Sequence, residues 1–134
     1  MLRNPYAAYL ESAILTAEPL ELINRLYAAA LDAVAEAQAH LEAGRILERG
    51  QAISKASSIL LHLSAVIDPA HDPALAHNLI ELYDYMQRQL TQAHVQPSAK
   101  ALVEVANLLT TLSEAWRRVE PAVSPAAFSS SLGR

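Results

Sequence analysis

The sequence predicts an all-α protein: an antiparallel four-helix bundle with a short N-terminal segment packed on it and a disordered C-terminal tail. Three observations carry this. The chain is 52% hydrophobic with only three glycines, and much of the apolar content is alanine and leucine, the strongest helix formers. Residues that end or start helices cluster at "AEP" 17–19, "EAG" 42–44, "DPAHDP" 68–73, "VQPSA" 95–99 and "EPAVSP" 120–125. Between these breaks lie four stretches, about 20–44, 46–67, 73–94 and 97–119, each with apolar residues mostly three or four apart.

A length of 134 residues fits one core. It divides into an N-terminal segment 1–15, a bundle 16–120 and a flexible tail 121–134. The first segment is too short for a bundle helix, yet it carries Tyr6, Tyr9, Leu10, Ile14 and Leu15. That apolar content predicts a short helix or extended strap lying on the bundle. Thr16 is a better cap for the first bundle helix than Glu18. Its stripe is Leu20, Ile23, Tyr27, Ala30, Val34, Ala37 and Leu41.

The second helix repeats the spacing with Ile53, Ala56, Leu60, Leu63 and Ile67. Asp72 before Pro73 opens the third, since proline is tolerated in a first turn where its missing N–H has no partner anyway. Its stripe is read as Leu75, Leu79, Leu82, Met86 and Leu90. Pro97 and Ser98 open the fourth, with Leu102, Val105, Leu109, Leu112, Trp116 and Val119 inward. From Pro121 the chain is rich in Pro, Ser and Ala and has no stripe. Four stripes joined by short loops describe the bundle.

Each helix carries more apolar residues than one seam needs. Leu22, Leu26, Ala29 and Ala33 form a second stripe on the first helix. Ile59 and Val66 lie off the seam of the second, Ile80 and Tyr85 off that of the third, and Val103 and Ala106 off that of the fourth. Broad stripes are ordinary in globular helices, but a surplus on every helix predicts a groove for another apolar segment. The occupant is the N-terminal segment, a second copy in a homodimer, or a client protein. "LYDYM" 82–86 poses the question sharply: Tyr83 and Tyr85 point roughly 200° apart on a helix. Leu82 and Met86 are assigned to the seam and Tyr83 to its edge beside Leu79. Tyr85 must face the N-terminal segment, a client or a neighbouring helix.

Composition excludes several classes. Net charge is −4, the pI is about 5.7, and the basic residues are scattered. A nucleic-acid face needs them concentrated. There is no cysteine, hence no disulfide framework. An early Pro, two Tyr and a Glu interrupt the first fifteen residues, so no secretory signal is expected there, and no apolar run reaches the ~18 residues of a membrane span. The expected location is therefore the cytoplasm, without membrane insertion. The histidines at 40, 62, 71, 77 and 94 have no Glu three residues before them, as a di-metal bundle would want. His40 and His62 lack the surroundings of a phosphotransfer histidine, which leaves that activity the weakest alternative. No catalytic residue, metal site or cofactor is predicted.

"NPYAAY", "TAEPLELINRLY", "SKASSILLHLSAVID", "NLIELYDYMQRQLTQAHV" and "LVEVANLLTTLSEAW" follow one another in the chain. In this order they resemble the flagellar secretion chaperone family FliS from residue 4 to about 118. The resemblance implies a cytoplasmic bundle that binds the disordered C-terminal segment of flagellin and blocks its premature polymerisation. It also implies delivery of that client to the membrane-embedded flagellar export gate, and an N-terminal segment able to cover the client surface. Tyr6, Tyr9, Pro19, Leu22, Leu26, Tyr27, Lys55, residues 82–86 and Trp116 match its motifs. Surplus faces and resemblance together give the client-facing candidates Tyr6, Tyr9, Leu10, Leu22, Leu26, Ile59, Leu79, Tyr83, Tyr85 and Met86. Glu18, Ser57, Ser58 and the proline-rich 68–73 loop depart from the family pattern.

Overall fold

A computed structural model of the protein describes residues 19–68, 70 and 72–118. The expected N-terminal strap, the Thr16 cap and the tail lie outside these residues. Four helices follow in order: α1 Pro19–Ala43, α2 Ile46–Ala65, α3 Pro73–Val95 and α4 Ala99–Arg117. The chain ends α1 at Gly44, whose φ of 73° is the left-handed conformation that glycine adopts freely. Gly44 N–H bonds Leu41 O and Arg45 N–H bonds His40 O, so two carbonyls of the last turn keep partners and the chain reverses into α2. The starts of α3 and α4 are capped as the sequence predicts. Asp72 accepts from Leu75 N–H at 3.1 Å, and Ser98 accepts from Ala101 N–H at 3.2 Å. Pro97 stays outside α4.

The helices pack in a ring, α1 on α2, α2 on α3, α3 on α4 and α4 back on α1. Each helix therefore meets two neighbours and needs an apolar arc wider than a single seam. This corrects the reading of Leu22, Leu26 and Ala33 as surplus: all three are buried in the core. Ile59 is buried too, alongside Ile53, Ala56, Leu60 and Leu63.

The third helix needs a change of phase. Its buried face is Ala76, Leu79, Tyr83, Met86, Leu90 and Ala93, a strict three–four alternation. Leu75 is exposed and Leu82 only half-buried. Tyr83 moves from the edge to the centre because its hydroxyl has a partner there. It lies 2.7 Å from the Tyr27 hydroxyl, across the bundle axis from α1. The two residues are 1% and 0% exposed. Burial pushes both phenols above their ordinary value. For Tyr27 the bond to Tyr83 and, after it, the Trp116 side chain pull the other way. For Tyr83 the adjacent Tyr27 raises it further. A buried hydroxyl without a partner is costly, so this pair fixes the height of α3 against α1.

A candidate docking groove between α2 and α3

Along the side of the bundle where α2 meets α3, the helices leave an open groove of about 1040 Å³. The cause is local sequence. Gly50, Ser54, Ser57 and Ser58 present little or no side-chain volume along α2, so nothing there fills the space in front of α3. The rims are large and apolar. Ile46, Leu47 and Leu61 of α2 and Val95 of α3 line the groove with exposures of 64%, 71%, 62% and 71%. Leu90 and Ile53, both buried, also line it.

Polar bonds hold the two helices beneath the groove. The Ser57 hydroxyl donates to Gln87 Oε1, and Gln87 Nε2 returns a bond of 2.9 Å to Ser57 O. Nearer the loop ends, Arg49 is buried and its Nη2 donates to His94 O at 3.3 Å. A cation suits the carbonyls of a helix C-terminus, which carry partial negative charge. The two bridges run in opposite senses along the helices, with Arg49 and Ser57 of α2 facing His94 and Gln87 of α3, as antiparallel neighbours must.

Tyr85 is not part of this groove. Its hydroxyl donates to Glu104 Oε2 of α4 at 2.7 Å, while Gln89 Nε2 donates to Glu104 Oε1 at 2.8 Å. The hydrogen bond to Glu104, and then its partial desolvation and the nearby negative charge, raise the Tyr85 phenol; Arg88 pulls the other way. The Arg88 guanidinium lies 6.0 Å from the ring centroid. Of the three settings open to Tyr85 from sequence, the structure gives it a hydrogen bond to the neighbouring helix.

None of the seven described candidates lines the groove. Leu22, Leu26, Ile59, Leu79, Tyr83 and Met86 are buried, and Tyr85 is half-buried against α4. The six buried residues fill the interior that two-sided packing requires, and Tyr85 is bonded to Glu104 of α4. Tyr6, Tyr9 and Leu10 lie outside the described residues. Sequence reasoning missed Ile46, Leu47, Leu61 and Val95. One signal was available in "ILL" 59–61, because three successive helical residues sweep too wide an angle for all to enter one core. Ile59 and Leu60 go in, and Leu61 stays out.

Among the described residues there is no group of three His, Cys, Asp or Glu placed to hold a metal ion. The His77–Glu81 contact of 3.2 Å is an exposed pair one turn apart. No described helix is long and apolar enough to cross a membrane. What the groove offers is apolar contact for a segment about 15 residues long, since Ile46 to Leu61 spans roughly 22 Å at 1.5 Å per residue.

Comparison with known proteins agrees over nearly the whole chain. The family described as "Flagellar protein FliS" matches residues 2–123. A flagellar secretion chaperone FliS of Salmonella typhimurium is 41% identical over 115 residues, 85% of each chain. The protein of that name from Escherichia coli is 32% identical, covering 86% of this chain and 84% of its own. One from Bacillus subtilis is 29% identical, covering 87% and 86%.

Proposed function

The chain belongs to the FliS family of flagellar proteins, and from that premise we propose that it is a cytoplasmic chaperone for flagellin. It binds the disordered C-terminal segment of flagellin as an apolar helix in the α2–α3 groove. Binding hides the stripe through which flagellin subunits associate, and the complex carries the client to the membrane-embedded export gate. Tyr6, Tyr9 and Leu10, which lie outside the described residues, are proposed as further client contacts. The observation that carries the reading is the set of four large apolar side chains, each more than three-fifths exposed, around one groove. Singly exposed apolar residues are common on protein surfaces, whereas a contiguous group marks a place of contact.

No covalent chemistry is needed. A ligand that binds the unassembled client lowers the free concentration available for polymerisation by mass action. The test is calorimetric titration with intact flagellin and with flagellin lacking its C-terminal segment, using the wild-type chain and a Leu47→Asp, Leu61→Asp variant. Binding only to the intact client, and lost in the variant, supports the reading. Equal binding to both flagellins, or to neither, refutes it. Retained binding by the variant would move the site away from this groove.

A further inference from the structure

Of the glycines, Gly50 alone lies in the interior of a described helix. Glycine is a poor helix former beside alanine, and no left-handed backbone explains it here. The reason is its neighbour. A Cβ at position 50 would stand 2.9 Å from His94 Cε1, 3.3 Å from Nε2 and 3.7 Å from Nδ1. The imidazole thus lays its N–C–N edge against the bare backbone of α2. The adjoining residue grips the same histidine, since Arg49 Nη2 bonds His94 O. Two successive residues of α2 hold the main chain and the ring of one residue of α3. That ring and the next side chain, Val95, both line the groove.

We propose that Gly50 is a specificity-determining residue of the groove: its missing side chain parks the His94 ring against α2 and keeps that end open. This rests on the reading that the groove holds the apolar segment of flagellin. Any side chain at 50 takes the place of the imidazole edge. The backbone of His94 is fixed by Arg49, so the side chain turns about its own bonds, away from α2 and into the groove it lines. The helix loses nothing by the change, whereas the docked segment meets a polar ring in its path.

The experiment is a double-mutant cycle with Gly50→Ala and His94→Ala, read by calorimetric titration of the flagellin C-terminal segment and by thermal melting. Gly50→Ala is expected to melt at or above the wild-type temperature, because alanine favours the helix, yet to bind about tenfold more weakly. In the His94→Ala background the same Gly50→Ala change is expected to alter affinity by less than about twofold, its obstacle having gone. The proposal is overturned by wild-type affinity in Gly50→Ala, by an equal loss in both backgrounds, or by binding lost in step with melting temperature. Failure of the wild-type chain to bind the segment would instead overturn the functional reading, and this inference with it.

Discussion

Replacing Tyr83 with phenylalanine removes one oxygen and leaves the ring in place. The Tyr27 hydroxyl, fully buried, then loses its partner at 2.7 Å. An intact hydrogen bond is worth about 1 kcal/mol net, but a buried group stripped of its partner costs about 1–3 kcal/mol. No cavity of consequence forms, so this polar cost is the main effect. Tyr27→Phe should cost a similar amount. The double variant replaces both hydroxyls with apolar edges and should lose less than the two single losses together, by at least about 1 kcal/mol. Equilibrium urea unfolding, followed by the fluorescence of the single tryptophan Trp116, gives all three values. A urea slope of about 1–3 kcal/mol per molar turns the Tyr83→Phe loss into a midpoint shift of roughly one molar. Strict additivity, or a midpoint unmoved in Tyr83→Phe, would show that the two hydroxyls are not the coupled pair described.

Alkaline pH should act on the same pair. Their folded values lie above the ordinary 10.0, so the stability they lend is complete below about pH 10 and falls as pH rises beyond it; urea midpoints measured from pH 8 to 11 should show that decline, and Tyr27→Phe/Tyr83→Phe should flatten it. Glu104→Gln removes the carboxylate that raises Tyr85, so ultraviolet titration should find one phenol ionising at lower pH than in the wild type, with an unchanged trace sinking the assignment. Asp72→Ala deletes the cap on Leu75 N–H and should cost about 1 kcal/mol of stability, whereas Asp72→Ser should recover most of it in the same unfolding assay.

The seams of α1, α2 and α4 were legible because their interiors are built mainly from residues that announce burial. Ile23, Val34, Leu60, Leu63, Leu102 and Leu109 are large, apolar and correctly spaced. The third helix misled because leucine outranks alanine and tyrosine in any apolar count. Leu75 and Leu82 drew the stripe toward themselves, while its true line runs through Ala76, Tyr83 and Ala93. The burial of Tyr83 depends on a hydroxyl 56 residues away, which no local pattern contains. The surplus on α1 was counted correctly and interpreted wrongly, since a helix with two neighbours has no spare face in Leu22 or Leu26. The groove was foreseen as a type of feature but not at its position. Ile46 and Leu47 belong to a first helical turn and Val95 to a last one, where periodicity is weakest. Flanking stretches of serine and glycine look like polar surface until α3 is set beside them.

The reciprocal Ser57–Gln87 bonds beneath the groove bear on reversibility. They join α2 to α3 by directional polar contacts, where bulky apolar side chains would otherwise have to interlock. Ile46, Leu47, Leu61 and Val95 are thus outside the set that keeps the bundle folded. A segment can settle on them and leave again while every core contact persists. If the groove takes the proposed segment, arrival and departure are separated from folding, and the chain can be emptied and used again without passing through an unfolded state.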